Sequence, residues 1–179
     1  MAVPKDDKDW TWVLQRPCPE CGFDASTADV RAVADLLRAN AGAWPDLLAH
    51  PRAAARPTPD VWSALEYGCH VRDVCRIYDE RLQRMLTEDD PLYPNWDQDQ
   101  TAVDDNYGSQ SPETVTEQLL SAAGQLARRF ESVTDDQWTR TGRRSDGASF
   151  TIDTFARYFI HDPIHHLHDV RTGYRTLGG

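Results

Sequence analysis

Lysine is nearly missing from this 179-residue chain: Lys5 and Lys8 are the only two, and acidic residues outnumber basic ones by 29 to 19, for a net charge of −10. A chain so short of positive charge lacks the cationic footprint that general nucleic-acid binding needs. Long apolar runs are also missing. None approaches the roughly 20 residues that cross a bilayer, so no membrane partner is expected. The opening Met1-Ala2-Val3-Pro4-Lys5-Asp6-Asp7-Lys8-Asp9-Trp10 is too polar for a signal-peptide core, which makes the cytoplasm the expected location. There is no G-x-x-x-x-G-K-[ST] or G-x-G-x-x-G loop to cradle phosphates, and no G-x-S-x-G elbow. H-E-x-x-H is absent too: Asp162 follows His161, and Pro163 interrupts the pair. The four cysteines suit reduced use better than a disulfide framework. Cys69 and Cys75 lie in a helical pattern about 120° out of register, so they cannot pair with each other.

Helical periodicity is what the chain does have. Strand signals, repeats and linkers are scarce, and the length fits one domain over residues 1–179, with residues 1–26 as an N-terminal extension. The first apolar stripe spans Thr27 to Ala49 (Val30, Val33, Ala34, Leu37, Ala41, Trp44, Leu48), with Ser26 or Thr27 as its cap. A second helix is expected from Thr58-Pro59 to about Leu86, and a third after Ser111-Pro112 with a stripe through Val115, Leu119, Ala122, Leu126, Phe130 and Val133. The fourth opens at Thr151, and Pro163 should bend or open it. Four long helices imply an all-α bundle. About 25 residues join the second helix to the third, enough for a crossover that leaves those two parallel. That connection is acidic, yet Tyr93, Trp96 and Tyr107 suggest that it packs over a pocket mouth. Thr141 to Gly147 reads as a turn, and the tail after Val170 as frayed.

The chemistry concentrates near the end of the chain. His161, His165 and His168 follow an H-x-x-x-H-x-x-H spacing that aims three imidazoles along one helix face, with His166 pointing away and exposed. Imidazole is the commonest side-chain metal ligand. On the second helix, Trp62, Glu66, His70, Asp73, Val74, Ile77 and Arg81 share a stripe that should be apolar and is not. Its plain reading is an ion-pair network among Glu66, Asp73 and Arg81. Taken with H-x-x-x-H on another helix, His70 becomes the third ligand of a divalent metal, with His161 and His165. Three imidazoles leave open positions, as catalytic sites do. His168, Asp73 and Asp169 are candidates for orienting the ligand rings.

Cys18-Pro19-Glu20-Cys21-Gly22 is half of a zinc knuckle without a second C-x-x-C. It reads first as part of an N-terminal segment in which Trp10, Trp12, Leu14 and Phe23 cover the bundle. Cys69, Cys75 or His50 are the partners with which it would complete a structural zinc site.

His70 within Leu65-Glu66-Tyr67-Gly68-Cys69-His70-Val71-Arg72-Asp73-Val74, together with His161-Asp162-Pro163-Ile164-His165-His166-Leu167-His168-Asp169-Val170, resembles the DinB-like superfamily of metalloenzymes. The resemblance spans about Thr27 to Val170. It implies an up-down-down-up four-helix bundle whose histidine triad, here His70, His161 and His165, holds a divalent metal: zinc first, with nickel, iron or manganese as alternatives. The prelude Cys-Pro-Glu-Cys-Gly-Phe-Asp makes the chain look most like the mycothiol-dependent branch of the thiol S-transferases. It departs from the common pattern at His166, where an arginine usually follows the second ligand. It also lacks the H-x-x-x-H-x-E of sulfoxide-synthase domains.

The function so implied is a metal-dependent S-transferase that activates mycothiol against an electrophilic small molecule, as in detoxification. A non-catalytic metal- and thiol-binding protein and a mycothiol-dependent isomerase are the alternatives, as is a bundle whose metal only stabilises the fold. Arg81, Trp96 and Tyr107 are the candidates for contacting the thiol. The protein is expected to be a monomer or homodimer.

Overall fold

In the computed structural model, Val3 and residues 8–178 are described; most of the polar opening and the final glycine lie outside the described residues. The fold is mostly helical. Helices α1 (Val33–Ala41) and α2 (Trp44–Leu48) form the first arm, α3 (Ala64–Thr87) the second, α5 (Pro112–Glu131) the third and α6 (Ile152–Thr176) the fourth, with α4 (Gln98–Asp104) in the long connection. The apolar stripes converge on one core that includes Leu37, Trp44, Leu65, Leu82, Leu119, Leu126, Phe155 and Phe159. Among the described residues no helix is long and apolar enough to cross a membrane.

Local chemistry sets the helix ends. Ser111 caps α5 and Thr151 caps α6, where the sequence places them. The expected first helix is interrupted instead: a 3-10 turn covers Val30–Ala32, and the helix restarts at Trp44 with Pro45 in its first turn. The second helix begins at Ala64, later than Thr58-Pro59. Ser63 and Glu66 form a reciprocal capping box there: the Glu66 amide donates to Ser63 Oγ, and the Ser63 amide donates to Glu66 Oε2 at 2.8 Å. Pro163 does not open α6, which stays helical on both sides of it, and Asn40 Nδ2 donates to the Pro163 carbonyl at 2.8 Å. The tail is no loose end either: α6 continues to Thr176.

A small sheet accompanies the helices, contrary to the all-α expectation. β1 (Leu92–Tyr93) runs parallel to β2 (Thr141–Arg144), which pairs antiparallel with β3 (Ser149–Thr151). The glycines taken for a turn therefore belong to a hairpin, with Gly147 at φ +99° near its tip. Gly142 lets the hairpin approach α3, since a Cβ there would lie 2.7 Å from Met85 Cγ. Strand β3 passes straight into α6, and β2 carries Arg144 to the mouth of the cleft described next.

Candidate metal centres

Two groups of metal-ligand atoms sit side by side on α6, each with its ligand atoms within 4.8 Å of one another. One joins Cys18 and Cys21 to His161 and His165; the other joins His70 to Asp162 and His166. Successive residues on a helix are rotated by about 100°. Positions 161/165 and 162/166 therefore form two neighbouring stripes with the same four-residue spacing. The second stripe meets His70 on α3, and the first meets the N-terminal extension.

The expected triad is thus divided. His161 and His165 are together, but His70 is grouped with Asp162 and His166 instead. The reason is rotational: the periodicity gives the spacing of the pair but not which of two adjacent stripes faces α3. His166, expected to be exposed, has 17% of its side chain exposed and packs its ring against His70 at 4.7 Å.

In the open group, His70 Nε2 lies 3.5 Å and His166 Nε2 3.7 Å from Asp162 Oδ2. The His70 ring is fully buried and stacks on Trp96, with centroids 5.4 Å apart and planes 7° from parallel. Neither His70 nitrogen has a hydrogen-bond partner, and Asp162 Oδ1 has none either. Buried polar atoms left in that state are costly, and a cation between them removes the cost. Two imidazoles and one carboxylate fit a divalent metal with coordination positions to spare. Asp169 Oδ2 sits 3.0 Å from His166 Nδ1, holding the ring with Nε2 toward Asp162. Burial acts against charge on both members of the Asp162–His166 pair, yet their mutual attraction wins. His166 and His70 hold the Asp162 carboxyl well below the usual range, and the Asp162 and Asp169 carboxylates push His166 up to about 10.

The second group is more enclosed in sulfur and nitrogen. Cys18 Sγ is 3.6 Å from His165 Nδ1, and Cys21 Sγ is 3.8 Å from His161 Nε2. Burial, and then the neighbouring His165, hold His161 down to about 4, and burial lowers His165 as well, so both rings are neutral and carry lone pairs at pH 7.

A cleft of about 310 Å³ opens over these groups, with His161, Asp162, His165 and His166 in its lining. Arg81 and Trp96 are in its lining, and Arg144 joins them from the hairpin. Arg81 makes no part of the expected ion-pair network: its Nη2 donates to the Pro94 carbonyl at 2.8 Å and its guanidinium lies 4.9 Å from the Tyr93 ring. Asp73 pairs with Arg72 and Arg76 and accepts from Tyr107 Oη at 2.6 Å, so it orients no imidazole in either group. Tyr107, buried to 1% exposure, is a core residue and does not line the cleft. Glu66 pairs with Arg56. His168 belongs to neither group. Of the partners considered for Cys18 and Cys21, Cys69 faces the Tyr107 carbonyl and His50 lies against Tyr174.

A family model described as the DinB superfamily matches residues 23–170. The chain belongs to the DinB superfamily. No curated protein sequence matches it. Among solved structures it is similar to YfiT from Bacillus subtilis, described as a probable metal-dependent hydrolase with an unusual four-helix bundle topology. The two share 15% identity and superpose with a TM-score of 0.70 over 99% of this chain and 97% of YfiT. His70, Asp162 and His166 all fall inside the DinB segment, whereas Cys18 and Cys21 precede it. Sequence reasoning passed over Asp162 and His166, although they repeat the spacing of His161 and His165 one residue on. It also left Cys18 and Cys21 without their partners, because 140 residues separate Cys21 from His161.

Proposed function

We propose that the chain is a divalent-metal-dependent enzyme in which His70, Asp162 and His166 hold the metal and the cleft above them receives a small polar or anionic electrophile. The observation that carries this reading is the fully buried His70, whose ring nitrogens lack hydrogen-bond partners, 3.5 Å from Asp162, which lines a cleft that also presents Arg81 and Arg144. A metal bound there supplies Lewis acidity, which favours the deprotonated, nucleophilic form of a thiol or water. The chain's own residues do the rest. Asp169 fixes the His166 ring, Trp96 covers His70 and limits access of bulk water, and the two guanidiniums orient a negatively polarised substrate. The up-down-down-up order of the four arms is part of the same reading.

The nucleophile we assign is a low-molecular-weight thiol, with mycothiol the first to test, on the strength of the sequence resemblance; the product is then a thioether conjugate. The description of YfiT favours water as the second reading, which makes the reaction a hydrolysis. The test is turnover by metal-reconstituted protein on a panel of electrophiles and of esters and amides, with and without mycothiol. Product that requires the thiol, and is lost in His70→Ala, supports the transferase. Product formed equally without thiol establishes the hydrolase, and binding of metal and thiol with no product from either panel leaves a binding protein.

A further inference from the structure

We infer that Cys18, Cys21, His161 and His165 form a second, structural zinc site that fastens the N-terminal extension onto the last helix of the bundle. The first support is the ligand set. C-x-x-C and H-x-x-x-H are the two halves of a Cys₂His₂ site, here supplied by segments far apart in sequence. The second is geometry. Zinc–sulfur bonds of about 2.3 Å and zinc–nitrogen bonds of about 2.1 Å at a tetrahedral angle put sulfur and nitrogen about 3.6 Å apart. The observed separations of 3.6 Å and 3.8 Å match that figure, and all four ligand atoms lie within 4.8 Å of one another.

The knuckle itself is shaped for this. The Gly22 amide donates to the Cys18 carbonyl at 2.9 Å, and Gly22 takes φ +76°, a conformation that glycine adopts without strain. Burial pushes the Cys21 thiol up to about 11, while the Phe23 backbone amide favours its thiolate. Zinc would shift that balance fully to the thiolate. Carboxylates that would orient a ligand ring are in place as well: His165 Nε2, turned away from Cys18, faces Glu20 Oε2 and Asp169 Oδ2, each at 3.6 Å. Trp10 covers both imidazoles, with ring centroids 5.7 Å from His161 and 5.2 Å from His165. Four protein ligands fill a tetrahedral ion, so this site has no open position and is not the reactive one. Cys18 and Cys21 lie outside the DinB segment, so half of the ligand set comes from beyond the matched part of the bundle.

The full-length reduced protein, stripped of metal and titrated with cobalt(II), provides the test. Thiolate-to-cobalt charge-transfer absorption should appear in the wild type, persist in His70→Ala, and vanish in the Cys18→Ser/Cys21→Ser double variant. Should that variant fail to fold, alkylation of wild-type cysteines read by peptide mass spectrometry gives the answer without substitution. Zinc should slow modification of Cys18 and Cys21 by at least about tenfold, since only the metal-free form reacts. Absence of the charge-transfer band in folded, reduced wild type overturns the site, as does equal alkylation with and without zinc. The His70→Ala result separates this inference from the proposed function, because that variant removes only the open site.

Discussion

Two stripes of one helix, a single residue out of step, face different partners and have different chemistry. The 161/165 stripe is met by two thiols from the N-terminal extension, which gives four soft or borderline ligands and a closed shell. The 162/166 stripe is met by a single imidazole from α3, which gives three ligands including a carboxylate and leaves room for a reactant. A closed set stabilises and an open set reacts. On the proposed reading, the same four-residue spacing serves two purposes, and the neighbouring secondary structure decides which.

The largest effect that should separate the two stripes is on stability. With zinc about a thousandfold above its dissociation constant, the closed group contributes about 4 kcal/mol. Chelation should lower the wild-type melting temperature far more than that of a folded Cys18→Ser/Cys21→Ser variant; equal shifts would show that the closed group binds nothing. Next in size is a control that touches neither group. Asp73→Ala leaves Arg72 buried without its carboxylate partner and should cost about 3 kcal/mol in denaturant unfolding while leaving metal content unchanged. Burial would raise the Asp73 carboxyl, but Arg72 and Tyr107 hold it below the ordinary value of 3.8. Its contribution is therefore complete above pH 3.8 and is lost as pH falls through the lower folded-state value. Loss of metal from Asp73→Ala would make that residue an orienting partner of a ligand imidazole after all.

A smaller effect tests the residue shared by both stripes. Asp169 reaches His166 Nδ1 at 3.0 Å and His165 Nε2 at 3.6 Å. Asp169→Asn should weaken metal binding at the open group by about 10- to 100-fold, and less at the closed group, where Glu20 also backs His165; a competition assay with a chromophoric chelator reads both. The smallest effect belongs to His168→Ala, expected within about 0.5 kcal/mol in stability and without change in metal content. A metal deficit there would bring His168 back as a ligand.

The helices were legible in the sequence where the local signal is strong. Ser111-Pro112 and Thr151 mark the starts of α5 and α6, because a cap is a contact between near neighbours. Ser63-x-x-Glu66 carries the same kind of signal, but Thr58-Pro59 competes with it upstream. The hairpin was not legible, since its strands are only four and three residues long, too short to establish a period, and the longer one is threonine, glycine and two arginines. Within the site, the spacing of His161 and His165 and the importance of His70 could be read from one dimension. Their grouping could not, because it depends on the rotation of α6 by a single residue and on a contact between Cys21 and His161 across 140 residues.

The central claim is that α6 serves two metal sites rather than one. Metal content, measured by mass spectrometry on purified protein reconstituted with zinc, tests it most directly across wild type, His70→Ala and Cys18→Ser/Cys21→Ser. The account predicts two equivalents in the wild type, one for each group, and one in each variant, with the retained ion differing between them. A single equivalent in the wild type, lost alike in both variants, would contradict it and reunite His70 with His161 and His165 in one site.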